Sequence, residues 1–213
     1  MDANLLIAIV LGYLLGSIPF TQVVAKVVKG IDLRAVGSKN VGGRNLTRQL
    51  GLAWGLTGGM LDVGKGFASM WVAETIGAPY PLRMLAGVAA VAGHNWPVWL
   101  NFRGGKGLAT FVGAALYVVA PEALIASFVA ILVLIISKNI LLTSLTGFVT
   151  IVSLAFRFQR TAETMWFLAG LILVVLIASA PDIVHKLRTS GGVREYLKNP
   201  NKVYEEEARK RSG

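Results

Sequence analysis

Two stretches of this chain combine the groups that grip a phosphate. The first is Gly37-Ser38-Lys39-Asn40-Val41-Gly42-Gly43-Arg44-Asn45-Leu46-Thr47-Arg48. Its glycines allow successive backbone N–H groups to turn inward around an anion, and Ser38, Asn40, Asn45 and Arg48 add hydroxyl, amide and guanidinium donors. An arginine also grips phosphate with two parallel hydrogen bonds. The plain alternative for this stretch is a flexible basic loop. The second stretch is Gly93-His94-Asn95-Trp96-Pro97 followed by Phe102-Arg103-Gly104-Gly105-Lys106-Gly107. It stands just ahead of an apolar run, so Gly104, Gly105, Lys106 and Gly107 are expected at a helix N-terminus, where amides and the helix dipole favour an anion. It is not a nucleotide-binding P-loop, because the earlier glycine is misplaced and no strand precedes it.

Other ionisable residues are sparse. Asp62 and Lys65 lie three apart and share a helix face. An ionisable group inside an apolar run faces a cavity or a partner, so this pair reads as support for the site or as a packing device. His94 and His185 are the only histidines. Neither has a carboxylate at fixed short spacing that would make it a general base; His94 sits at a span end and His185 among basic residues. With no cysteine in the chain, thiol chemistry and cysteine-based metal sites are excluded, and no metal or other cofactor is expected.

The elements that must hold these residues are membrane helices. Hydrophobic residues make up 54% of the 213 and charged residues only 15%, against about 25% in soluble domains. The mean hydropathy is +0.63. The excess lies in continuous runs, which in lipid must satisfy their own backbone and are therefore helical rather than barrel strands. An all-α, polytopic membrane protein follows. Seven spans are expected, at about residues 4–24, 52–76, 82–100, two in the stretch divided by Pro121-Glu122, 140–156 and 165–180. Residues 1–181 then form one membrane domain and 182–213 a charged tail. Loops 25–50, 101–107 and 137–139 and the tail hold 17 of the 21 Lys and Arg. The bias puts the N-terminus outside and these loops in the cytoplasm. The net charge of +10 is thus assigned to topology and anionic lipid rather than to nucleic acid.

With these residues in view, the chain resembles the bacterial acyl-phosphate:glycerol-3-phosphate acyltransferases. The resemblance rests on Gly37-Ser38-x-Asn40-x-Gly42-x-x-Asn45 with Arg48, on Asp62-x-x-Lys65-Gly66, and on Gly93-His94-x-x-Pro97 with Phe102-x-Gly104-Gly105-Lys106-Gly107-x-Ala109-Thr110. It implies a seven-helix inner-membrane enzyme, active at the cytoplasmic side. Such an enzyme passes a fatty acyl group from acyl phosphate to the 1-hydroxyl of glycerol 3-phosphate, making lysophosphatidic acid for phospholipid synthesis. It further implies catalytic roles for Ser38, Arg48 and Lys106, and phosphate contacts from Asn40, Asn45, Gly104, Gly105, Gly107 and His185. Asp62, Lys65 and His94 are expected in support. The chain departs from the family pattern at Lys39, at Gly43-Arg44 and in the motif that follows His185. Those departures keep open a paralogue with another phosphate-bearing acceptor and a catalytically dead scaffold; a transporter of phosphorylated molecules is a separate alternative, disfavoured because no internal repeat is seen and the polar motifs gather at one face. A monomer fits, but nothing in the sequence sets the oligomeric state.

Overall fold

The computed structural model describes residues 3–198, and among them every regular element is helical. In order these are α1 Ala3–Ser17, α2 Phe20–Lys29, α3 Gly43–Leu50, α4 Leu52–Thr75, α5 Tyr80–Asn95, a short 3-10 turn Val98–Leu100, α6 Leu108–Val118, α7 Ala120–Ser137, α8 Ile140–Arg157, α9 Ala162–Ser190 and α10 Val193–Lys198. Four segments are long and apolar enough to cross a membrane: Leu6–Lys29, Ala120–Ser137, Ile140–Arg157 and Ala162–Ser190. Outward-facing residues such as Ile136, Phe156 and Trp166 are more than three-quarters exposed. An apolar exterior on this scale requires lipid around it.

The helix boundaries follow local chemistry. The first expected span breaks at Ile18-Pro19, because proline lacks an N–H and disfavours helical backbone in the residue before it. α2 then continues as an amphipathic helix with Lys26 and Lys29 in its last turn, closed by Gly30 at φ 68°. Residues 43–50, expected within a loop, form α3 instead. α7 starts one residue ahead of Pro121, which is accepted in a first turn where its missing N–H is not needed. The Asn139 side chain accepts from the N–H groups of Leu141 and Leu142, capping α8. α9 runs through Pro181 to Ser190, so the expected boundary at 181/182 falls inside a helix. The mixed-charge stretch from Glu205 to Arg211 lies outside the described residues.

Small residues let the helices approach closely. α1 packs along α5, and α4 along α6. A β-carbon built on Gly16 would lie 2.0 Å from the Ala90 carbonyl oxygen; one on Gly93 would lie 2.2 Å from that of Tyr13. Backbone is met in both cases, so neither neighbour can move aside. Such small-residue seams are how helices associate where lipid removes the hydrophobic drive. Gly93→Ala should therefore cost about 1–3 kcal/mol, the usual penalty of overpacking, read as a lower midpoint of thermal unfolding in detergent.

The helix ends gather into two groups. At one end lie the α1–α2 break, residues 30–42, residues 96–107 and the α7–α8 turn. Arg34 reaches the Leu100 carbonyl at 3.1 Å there, and Arg44 that of Lys138 at 2.6 Å. At the other end Arg83 pairs with Glu74 at 2.5 Å, and Tyr117 bonds to the same carboxylate. The buried Glu122 accepts two bonds from Arg160 at that end. Both glycine-rich stretches thus share one end of the bundle.

Candidate functional site

The first glycine-rich loop is wound around one side chain. Asn45, on the buried face of α3, directs its amide N–H groups to the carbonyls of Leu33, Val36 and Asn40, each at 3.1 Å. Its side-chain oxygen accepts the Ser38 N–H at 3.2 Å. Gly37, at φ 55°, passes so close that a β-carbon would lie 2.3 Å from that oxygen. Asn45 was expected to contact phosphate; its polar atoms are instead spent on the loop's own backbone, and it is 1% exposed. Ser38 and Asn40 are left half-buried on the loop surface, with Arg48 exposed on the last turn of α3. At the base of the loop Arg34 holds Asp32 through bonds of 2.7–3.1 Å, and the guanidinium keeps that carboxyl below its ordinary pKa.

The second loop is fastened to the end of α5. The Gly104 N–H donates to the Asn95 carbonyl and the Gly105 N–H to the His94 carbonyl, both at 3.1 Å. These two amides were expected to point at an anion, and the structure spends them on closing α5. The glycines are needed for close approach instead. A β-carbon on Gly105 would lie 2.1 Å from His94 Nε2 and 2.4 Å from the Val41 carbonyl oxygen, so the two loops touch through this residue. Gly107, at φ 77°, turns the chain into α6. Lys106 projects from between them and forms an ion pair with Asp182 of α9.

Beneath the loops lies a buried ionic cluster. Lys65 Nζ is 2.9 Å from Asp62 Oδ1 and donates to the Ile18 carbonyl at 2.8 Å, where the Pro19 break has released an acceptor from α1. His94 Nδ1 stands 3.6 Å from the same Asp62 oxygen. All three side chains are almost fully buried. The cluster joins the α1 break, α4 and the His94–Gly105 contact, and so ties the helix breaks to the glycine loop.

Two members of the site were not anticipated. Asp182 receives both Lys106 and Lys186, the latter at 2.8 Å. Their spacing of four residues places Asp182 and Lys186 on one helix face, a signal visible only once the helix is continued past Pro181. His185, one residue away, faces outward and is exposed.

Lys106 and Asp182 also border a narrow, mostly apolar cleft between α8 and α9. Leu141, Leu145 and Leu176 line it, Phe148 and Val175 lie at its depth, and the buried Tyr196 of α10 adjoins it. The arrangement sets the Lys106–Asp182–Lys186 ion pairs beside an apolar surface.

Fold and site together define an all-helical membrane protein with a basic, glycine-rich loop cluster at one end of its bundle. The profile of the glycerol-3-phosphate acyltransferase family matches residues 6–189, and the chain belongs to that family. It is 43% identical over 147 residues to the glycerol-3-phosphate acyltransferase of Shouchella clausii (strain KSM-K16), covering 68% of this chain and 72% of the relative. The enzyme of that name from Thermoanaerobacter sp. (strain X514) is 38% identical over 171 residues, covering 78% and 83%. Glycerol-3-phosphate acyltransferase 2 of Dehalococcoides mccartyi (strain ATCC BAA-2266 / KCTC 15142 / 195) aligns over 55% of each chain at 43% identity. Among solved structures, PlsY (YgiH), an integral membrane glycerol 3-phosphate acyltransferase, superposes with a TM-score of 0.79 in its glycerol 3-phosphate form. That match is 32% identical and covers 90% of this chain and 95% of PlsY. The lysophosphatidic acid form gives 0.78 at 29% identity. The resemblance carried by the sequence motifs is borne out.

Proposed function

We propose that this chain transfers a fatty acyl group from acyl phosphate to the 1-hydroxyl of glycerol 3-phosphate and releases lysophosphatidic acid. The acyl-transfer activity with glycerol 3-phosphate is supported by family membership and by the two ligand forms of PlsY. The observation that carries the donor assignment is Lys106 beside the apolar cleft, a cation placed where the phosphate of an acyl phosphate would meet its chain.

The chemistry needs no covalent enzyme intermediate, because the acyl group arrives activated. The glycerol hydroxyl oxygen forms a bond to the acyl carbonyl carbon, the bond from that carbon to the phosphate oxygen breaks, and inorganic phosphate departs. The hydroxyl proton passes to a phosphate oxygen of the substrates. Lys106 and Arg48 stabilise the charge on the departing phosphate and the developing oxyanion, and Ser38 and Asn40 hold phosphate oxygens. Asp182 occupies Lys106 until a substrate anion displaces it. Asn45, Gly104 and Gly105 shape the loops rather than touch phosphate.

In this reading α1 and α4 to α9 are the seven spans, and α2, α3 and α10 lie at the cytoplasmic surface of a bacterial inner membrane. The short α6 spans only part of the bilayer: eleven residues reach about 16 Å, so its N-terminal loop enters the membrane from the cytoplasmic side. The residues after α9 form a cytoplasmic tail.

Purified protein given palmitoyl phosphate and glycerol 3-phosphate should produce lysophosphatidic acid and inorganic phosphate in equal amounts. Palmitoyl-CoA in place of the acyl phosphate should give no product. Turnover with the thioester alone would overturn the donor assignment, and absence of product with every donor would overturn the activity.

A further inference from the structure

The end of the bundle opposite the glycine-rich loops carries Arg83, Arg157 and Arg160. Arg83 pairs with Glu74, and Arg160 reaches Glu122 of α7 through Nε at 2.6 Å and Nη2 at 3.2 Å. Arg157, exposed on the last turn of α8, makes no hydrogen bond or ion pair among the described residues. It lines an open hollow of about 580 Å³ together with Phe156, Gln159, Arg160 and Met165. At about 30 Å³ for each water, that is room for a headgroup rather than for one or two solvent molecules.

The hollow is built on a fixed turn. The Gln159 N–H donates to the Phe156 carbonyl at 3.1 Å and the Arg160 N–H to that of Ala155 at 3.0 Å, with Gln159 at φ 51°. These paired bonds stop α8 and set the direction of the chain beyond it. Arg160 is held a second time by Glu122, which is fully buried. Of the five guanidinium N–H donors Glu122 takes two, so three remain. Two guanidiniums and one amide thus line the space without a carboxylate. Glu163, in the first turn of α9, is exposed and does not line it. Phe156, Phe158 and Trp166 stand exposed nearby, at the level where aromatic side chains meet lipid headgroups. A cation that complements the C-terminus of α8 would account for Arg157 alone. It does not account for a second guanidinium in the same space, nor for the apolar wall of Phe156 and Met165 beside both.

We propose that this hollow holds the headgroup of an anionic phospholipid from the leaflet opposite the glycine-rich loops. The phosphate lies between Arg157 and Arg160, Gln159 donates to a headgroup oxygen, and the acyl chains pass over Phe156 and Met165 into the bilayer. Guanidinium suits the task because it forks onto phosphate and is weakly hydrated. The site is independent of the chemistry at the other end of the bundle.

The probe is phosphatidylglycerol carrying a photoactivatable diazirine, compared with phosphatidylcholine of the same chains. Each is titrated onto the purified full chain in neutral detergent and irradiated, and the labelled peptides are mapped by mass. Phosphatidylglycerol should label residues 156–166 at a several-fold lower concentration than phosphatidylcholine. Arg157→Gln should raise the concentration needed by about ten-fold, the worth of one charge-assisted contact. Labelling around Lys26 and Lys29, at the opposite end, should not change. Gln159→Glu puts a carboxylate into the hollow at nearly constant volume; it should weaken labelling in the same way, and it serves if the Arg157 variant does not fold. Equal labelling of residues 156–166 by the two lipids would mean contact with hydrocarbon alone and would overturn the proposal. Labelling by phosphatidylglycerol that neither variant weakens would overturn it as well.

Discussion

Lys106→Ala is expected to lower kcat/KM by about 10²–10³-fold, the usual cost of removing one preorganised donor from a developing oxyanion. The protein should stay folded and inserted. Lys106 is partly exposed and its loop is held by the Gly104 and Gly105 amides, not by its own side chain. Its partner Asp182 keeps Lys186, so no unpaired buried charge remains. The measurement is steady-state kinetics with matched amounts of monodisperse protein, varying donor and acceptor in turn. A fall in kcat places the ammonium on the reacting phosphate; a rise in donor KM alone restricts it to binding. Lys106→Arg should restore little, because a planar guanidinium forks toward Asp182 and a phosphate in a geometry unlike that of the compact ammonium. Full activity in folded Lys106→Ala would remove Lys106 from the reaction.

What was legible beforehand, and what was not, divides along physical lines. Long apolar runs announce helices through the need to satisfy backbone in lipid, and α4, α7 and α8 stand within a few residues of their expected positions. Hydropathy carries no record of where a backbone bond is missing, so the Pro19 break passed unnoticed inside an apolar run. Yet that break exposes the Ile18 carbonyl that Lys65 takes. The two loops announced themselves by composition, but composition does not say which way an amide points. Asn45, Gly104 and Gly105 have the right chemistry for phosphate, and the fold consumes it internally. Asp182 and Lys186 were hidden for a different reason. A proline in the sequence ended the expected helix, whereas the chain carried α9 past Pro181 and brought both residues to Lys106.

Asp62→Ala tests whether the buried cluster is structural, and its expected cost is about 3–5 kcal/mol, the penalty of leaving one member of a buried ion pair alone. The carboxylate is 1% exposed and faces both Lys65 and His94. Its loss leaves the Lys65 ammonium with the Ile18 carbonyl but no counter-charge, and frees the His94 ring that abuts Gly105. Unfolding in detergent, followed by static light scattering, should show a large drop in midpoint. Asp62→Asn should fall between, since the amide keeps the volume but loses the charge. In the double variant Asp62→Asn with Lys65→Met both charges are gone, and much of the lost stability should return, because an apolar replacement of a buried pair is often near neutral. Activity divides the two remaining accounts. If the cluster only packs α1 against α4, the stabilised double variant regains turnover. If it positions Gly105 through His94, donor KM stays raised after stability has recovered, since Lys106 is the next residue along the loop. An Asp62→Ala protein with an unchanged midpoint would contradict both, and would mean that water reaches Lys65 in the membrane.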